Sequence, residues 1–396
     1  MQIKRLCFIS VLLPVLVFGQ LSSFQLNGYA KYLFSTSYSS QFHERLNDHL
    51  IHNRINTRWY PTSALTTALD LRFRAYYGDS VEDIPGFSDQ IKTKYDFAQL
   101  DAMLWNKKKT LGYAEIDRLF LDYYRGSFQV TAGRQRVAWG TSLVWNIIDI
   151  FNPMSILDFD YEERPGTDAI RIQYYTGAVS KIEAVWKPGK NKYRNTFAGL
   201  WSINKWAYDF FIIAALQNNR KILAGAWSGD IRGGGFRGEL KISEPPSKGQ
   251  ENQYQVPLSS FSNLTDYNQT VISFVLSGDY TFPNTFYIHT ETMFNSNGKL
   301  KNAGIYWQQA PEAGMLSPSR WSVYQEFAYD LTPLVRGTVF GLFNPNDQSY
   351  LMAPSVTWSI TSNFEFLGLV YFTQGEKYTE FGDFDTTIFT RLKYSF

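Results

Sequence analysis

The fold class this sequence predicts is a transmembrane antiparallel β-barrel, and three observations predict it. The chain begins with an export-type leader. No apolar run after the leader reaches the length of a membrane helix. Segments of about ten residues instead alternate apolar and polar side chains between short turns and longer loops.

The leader is MQIKRLCFISVLLPVLVFGQ, in which Lys4 and Arg5 precede an apolar stretch and small-residue processing is expected around Val17 and Gly19. Residues 1–19 are therefore set apart as a signal peptide, and residues 20–396 are taken as one outer-membrane domain. Cys7, the only cysteine, lies inside the leader. Neither a disulfide framework nor thiol chemistry is then expected of the remainder. The 38 basic residues, less Lys4 and Arg5, balance 36 acidic ones. A neutral chain gives no reason to expect nucleic acid as a partner. Aromatic residues are 17% of the chain, yet its mean hydropathy is below zero. Both follow if apolar residues are needed only at every second position of a membrane strand.

Individual segments have two faces. In LIHNRINTRWY, Ile51, Ile55 and Trp59 share one parity, while His52, Arg54 and Arg58 share the other. After Pro61-Thr62-Ser63, the residues Leu65, Leu69, Leu71, Phe73 and Tyr77 oppose Asp70, Arg72 and Arg74. Ile170, Ile172 and Tyr174 oppose Arg171 and Gln173. Phe286, Ile288 and Phe294 oppose His289 and Glu291, and Ile388, Leu392, Tyr394 and Phe396 oppose Arg391 and Lys393. A soluble sandwich alternates in the same way. The connections discriminate, because outer-membrane barrels join strands by short periplasmic turns and longer extracellular loops.

Short turns are expected at Pro61-Thr62-Ser63, Arg125-Gly126-Ser127, Thr176-Gly177-Ala178, Asn204-Lys205, Gly229-Asp230, Phe282-Pro283-Asn284, Leu331-Thr332-Pro333 and Thr361-Ser362-Asn363. Between them fall longer segments near 37–47, 78–112, 139–167, 187–195, 243–267, 296–318 and 373–385, and short ones near 217–220 and 344–348. Eighteen strands result, with sixteen as the alternative if the glycine-rich DIRGGGFRG region is miscounted. The closing TTIFTRLKYSF resembles the assembly signal of outer-membrane barrels, which implies the barrel assembly machinery as a partner acting through Phe396. The other reading is an ordinary last strand that ends in phenylalanine.

The stretch GRQRVAWGTSLVWN begins at Gly133 and is followed by Asn152-Pro153 and by Glu163-Arg164-Pro165-Gly166. Its GRQ, WG, NP and RPG elements resemble a porin-like family of Gram-negative outer-membrane barrels, over about 40 residues. The acidic run DFDYEER and the tyrosine-rich style look like Bacteroidetes outer-membrane proteins. The resemblance implies a large barrel with a substrate pore and leaves the substrate open.

A barrel of this size encloses water, so charges on its inner face can act on a solute. Arg54, Arg58, Arg72, Arg74, Arg118 and Arg171 are expected to face inward, with Arg134 and Arg136 at the end of the strand between the last two. Asp70 and Asp122 lie among them, and Glu115 and Asp117 lie close by. Two readings stay open: a basic pore wall, or cross-strand ion pairs that stabilise the wall. The loop 139–167 is long and apolar at Leu143, Val144, Trp145, Ile147, Ile148, Ile150 and Phe151, then acidic at Asp158, Asp160, Glu162 and Glu163, before Arg164. It is expected to fold into the barrel as a constriction, its apolar part on the wall and its carboxylates opposite the arginines. Covering the barrel mouth, or a subunit contact, is the alternative.

His43, His49, His52 and His289 form no HExxH, no GxSxG occurs, and no metal-ligand spacing is present, so neither catalysis nor a cofactor nor a metal is expected. The expected function is an outer-membrane channel for diffusion of small hydrophilic solutes, surrounded by outer-membrane lipid. A homo-oligomer is left open. The alternatives are a non-conducting structural or assembly component of an outer-membrane complex and, more remotely, a barrel lipid hydrolase.

Overall fold

The computed structural model describes residues 23–39, 44–92, 97–153, 163–190, 194–245, 269–307, 309–311 and 314–396. The expected leader and the carboxylates Asp158, Asp160 and Glu162 lie outside the described residues. Among the described residues, nineteen strands form one sheet: β1 (Phe24–Ser39), β2 (Glu44–Thr62), β3 (Leu65–Gly78), β4 (Asp101–Lys107), β5 (Thr110–Arg125), β6 (Phe128–Gln135), β7 (Thr167–Tyr175), β8 (Lys181–Lys187), β9 (Thr196–Lys205), β10 (Tyr208–Gln217), β11 (Arg220–Ile231), β12 (Gly234–Ser243), β13 (Val271–Thr281), β14 (Tyr287–Asn295), β15 (Trp321–Thr332), β16 (Val335–Phe343), β17 (Tyr350–Ser359), β18 (Phe364–Gln374) and β19 (Thr387–Ser395).

The strand pairings are antiparallel, and β1 closes the sheet against β19, with Tyr29 opposite Ser395 and Ser37 opposite Thr387. Closure leaves the ring of wall strands without a free edge, a requirement for a sheet in hydrocarbon. Eighteen strands go round the barrel. β4 is additional, because β3 pairs directly with β5. β4 lies only against Thr110 to Glu115 of β5, while β6 pairs with Leu119 to Arg125. The segment 78–112, expected as a plain loop, thus holds β4 and two helical turns, α1 (Asp79–Asp83) and α2 (Phe87–Gln90). An irregularity between Met103 and Trp105 breaks the alternation of β4 and hides it from a period count.

Two expected turns, Asn204-Lys205 and Gly229-Asp230, lie wholly inside strands. β9 runs on through Lys205 and β11 through Ile231, so their turns fall at Trp206-Ala207 and Arg232-Gly233, all at positive φ. Two-residue hairpins favour that backbone, which Asn and Gly signal and Trp-Ala does not.

The two faces follow the alternation. Leu71, Ile170, Ile172, Leu240, Leu276, Ile388 and Leu392 are exposed on the outside, as residues facing acyl chains would be. Their neighbours Arg72, Glu239, Ser277 and Arg391 are buried toward the inside. At the mouth, the connections after β14, β16 and β18 are tied together by Glu380, which accepts hydroxyl bonds from Ser317 at 2.6 Å and from Ser319, and whose N–H donates to Asp347 at 2.8 Å. Burial, opposed by these hydroxyls, pushes its carboxyl up to about 7.

Candidate functional site

The connection from β6 to β7 turns into the barrel at once. Val137, Trp139, Trp145, Ile147, Ile148, Ile150 and Phe151 are buried, and they pack with inward side chains of distant strands, among them Val185, Leu200, Ile213, Ile222, Met293, Tyr324, Leu351 and Leu369. Its backbone polar groups, which need partners in that interior, find them on the wall. Glu239 of β12 accepts the N–H groups of Thr141 at 2.6 Å, Ser142 at 2.9 Å and Ile148 at 3.2 Å. Glu291 of β14 accepts those of Leu143 at 3.2 Å, Val144 at 3.3 Å and Trp145 at 2.5 Å. Gln217 of β10 donates to the Ile150 carbonyl at 2.6 Å, and Trp139 donates to Glu183 of β8 at 2.8 Å. The chain therefore crosses from one side of the barrel to the other.

The residues of the GRQ, WG, NP and RPG elements shape this crossing. Gln135 donates to the carbonyls of Thr131 at 3.0 Å and Ala169 at 3.1 Å. Gly140 has φ +129°, and a Cβ there would fall 1.5 Å from Asn146 Oδ1, so glycine is required. Asn152 donates to the Val137 carbonyl at 2.9 Å and joins the two limbs of the loop. Arg164 pairs with buried Asp149. Gly166 lies so close to β5 that a Cβ would meet the Asp117 carbonyl at 2.3 Å.

Opposite this crossing the wall carries arginines set among carboxylates. At a register shift between Asp70 and Leu71 of β3, Asp117 is the extra residue of β5, so that Asp117 and Arg118 are both buried on the inner side. Asp117 accepts from Arg54 at 2.5 Å and Arg118 at 2.9 Å, and Asp70 accepts from Arg54 at 3.2 Å and from Arg58. Glu163, at the end of the loop, reaches Arg54 at 3.3 Å and Tyr29 at 3.3 Å. Arg171 forks onto Glu183 at 2.7 and 2.8 Å. A cavity of about 450 Å³ is left between loop and wall, lined by Arg54, Arg58, Arg118, Arg136 and Arg171 with Asp70, Asp122 and Glu163, and by Phe120 and several amides. Counting Asp117 and Glu183 behind them, the arginines are matched by carboxylates, so the sign of the field depends on which ones are free. Asp122 accepts from Gln129 at 2.9 Å and Thr131 at 2.6 Å and makes no ion pair among the described residues. Arg136 makes no ion pair among the described residues. Its enclosure, and then repulsion from Arg164, hold its guanidinium below the ordinary value.

Arg134 is a correction. It was expected beside Arg136 on the inner face, but it is 1% exposed and occupies the register of outward-facing Leu119. It forks onto Asp168 at 2.9 and 3.0 Å and donates to the carbonyls of Ile116 at 3.0 Å and of Ala98. It clamps the seam where the segment leading into β4 meets β6 and β7. Arg72 and Arg74 do face inward, but Arg72 is buried on Glu115 and Arg74 donates to the Ile91 carbonyl at 2.9 Å, so neither lines the cavity. The cross-strand reading fits Arg72 on Glu115, as it fits Arg58 on Asp70 and Arg171 on Glu183. Glu239 and Glu291 were not among the expected site residues. The inward parity of Glu291 was legible in the sequence, that of Glu239 was not read, and their loop partners, about 90 to 150 positions away, were not legible.

One polar cluster has a hydrolase-like look: Ser277 Oγ lies 3.0 Å from His289 Nε2. Both are about 1% exposed and lie on the inner side, away from lipid. Among the described residues no three His, Cys, Asp or Glu side chains form a metal site.

No family model and no curated protein matches the chain. Solved structures do match in fold. The Acinetobacter baumannii protein OccAB2 has a TM-score of 0.58 at 8% identity, covering 95% of this chain and 98% of its own. Pseudomonas aeruginosa OccK8 (OprE) has a TM-score of 0.57 at 7% identity, covering 96% and 99%. Salmonella typhi OmpF, solved in complex with daunomycin, has 0.50 at 10%, covering 94% and 97%. At such identities the likeness shows the fold: an all-β, closed, antiparallel barrel of eighteen wall strands, nearly end to end.

Proposed function

We propose that the chain is an outer-membrane channel through which small hydrophilic solutes diffuse, with a preference for anions set at a constriction between the inward loop and the wall of β2, β3, β5, β6 and β7. The observation that carries it is the loop lodged across the barrel on Glu239 and Glu291, with the remaining space lying against Arg136. The outward apolar belt supports a membrane location, and the solved barrels that share the fold are outer-membrane porins. A wide aqueous lumen narrowed by a charged loop selects by size and by field. The protein inserted in a planar bilayer should give discrete conductance steps. In a salt gradient its zero-current potential should show anions permeating faster, more so at low salt where screening is weak. A correctly folded, inserted barrel that passes no current would instead support a structural component of an envelope complex.

A further inference from the structure

The crossing loop is held by two wall carboxylates, and they are set differently. Glu239 meets the loop through backbone N–H groups. Glu291 has, in addition, a titratable ring beside it. His289 Nε2 is 3.5 Å from Glu291 Oε2 and 3.0 Å from Ser277 Oγ, and its Nδ1 is 3.9 Å from Glu326 Oε2. In register, His289 stands opposite Asp279 on β13 and Glu326 on β15. Asp279 is engaged by Arg237, Glu326 accepts from the Tyr324 hydroxyl at 2.9 Å, and Arg336 of β16, paired with Asp330 at 2.7 Å, lies over the Tyr287 ring at 5.9 Å as the remaining cation on that side. Tyr287 lies 6.3 Å from the ring along the same strand. The loop residues above, Leu143, Val144 and Trp145, carry no titratable side chain. Trp145 and His289 pack on the same Tyr324 ring, at 6.4 and 5.2 Å between centroids.

We infer that His289 is a positioning residue for the constriction: its imidazolium, between Glu291 and Glu326, holds the Glu291 carboxylate aimed at the N–H groups of residues 143–145, so the bore depends on pH. The inference rests on the channel reading above. The reasoning is electrostatic. A carboxylate accepts three backbone N–H bonds best as an anion, and a buried anion is costly without a neighbouring cation. An imidazole is a cation that pH can add or remove. With the ring protonated, the tip of the loop is pinned. As pH rises through the titration of His289, Glu291 and Glu326 lose their shared counter-charge, and the tip is held by Glu239 and apolar packing alone.

The test is single-channel recording of the full-length barrel from about pH 6 to about pH 10.5, a span that carries the imidazole from charged to neutral between its two carboxylates. Wild type should be steady at the acid end, and its open-channel flicker should grow severalfold on going alkaline. His289→Gln, which keeps a hydrogen bond to Ser277 without the charge, should show the alkaline behaviour at every pH. His289→Lys, which keeps the charge, should stay steady throughout. Glu291→Gln should abolish the pH dependence. The inference is overturned if His289→Gln reproduces the wild-type profile, or if Glu291→Gln leaves that profile intact. If His289→Gln fails to insert, the Lys and Glu291 variants still decide. A wild type that never conducts sinks the channel reading and this inference with it, whereas conduction with a profile indifferent to His289 sinks this inference alone.

Discussion

Deleting residues 143–162 is expected to raise single-channel conductance severalfold. The deletion removes five of the seven buried apolar side chains of the crossing, together with most of the backbone N–H groups that Glu239 and Glu291 hold. Each such side chain contributes on the order of 1.5–3 kcal/mol by leaving water, and each hydrogen bond to a carboxylate about 1.5–3 kcal/mol. These magnitudes also rank the gentler variants. Glu239→Gln with Glu291→Gln weakens the anchoring but leaves the apolar contacts, so the loop should loosen rather than leave. Its current should become noisy while the mean rises less than in the deletion. The wall should tolerate the deletion, because the antiparallel ladder from β6 to β7, Phe128 opposite Tyr174 through Gln135 opposite Thr167, does not involve the removed residues. Insertion and resistance to unfolding in detergent would confirm that the barrel is intact before currents are compared.

Replacing Arg136 with glutamate should reverse or strongly reduce the anion preference. The substitution changes the charge at the constriction by two units. A single charge acts on an ion at about 6 Å with roughly 0.7 kcal/mol in water, and with more where the lumen is less polarisable. Two units therefore amount to about 1.4 kcal/mol or more, a tenfold or larger change in the anion-to-cation permeability ratio. The effect should fade near 1 M salt, where the screening length is about 3 Å. Arg134→Gln is the informative contrast. Arg134 is buried on Asp168 behind the wall, so its loss should lower the barrel's resistance to unfolding and leave selectivity nearly unchanged.

The parity of the strands was legible in the sequence, because the side-chain period of two is imposed by the pleat. Leu71 and Arg72, Ile170 and Arg171, and Ile388 and Arg391 all lie on the faces their alternation implies. The need to bury the apolar loop was legible, since Trp145, Ile147 and Ile148 follow one another too closely to stay in water, but its place was not, because the barrel mouth or a subunit contact would also have covered them. What the sequence did not show was produced by irregularities and by distance. The extra residue Asp117 shifts the register of β5 and places an aspartate and an arginine side by side on one face. The alternation beyond Gly133 suggested that Arg134 and Arg136 share a wall, but Arg134 lies outside the lumen under Ala98, a residue 36 positions earlier. Glu239 and Glu291 sit in ordinary-looking strands and become anchors only when the loop reaches them. Closure of the barrel, which sequence period cannot express, is what brings them together.

The most direct measurement places a cysteine at position 136 of a chain whose one native cysteine, Cys7, lies in the expected leader. A small anionic thiol reagent is then applied while current through the inserted channel is recorded. If the constriction lies where Arg136 meets the cavity, each modification should cut the current in a discrete step, and the same reagent should leave a cysteine at position 134 untouched. Full labelling at position 136 with no change in current would place that residue outside the conducting path and contradict the account.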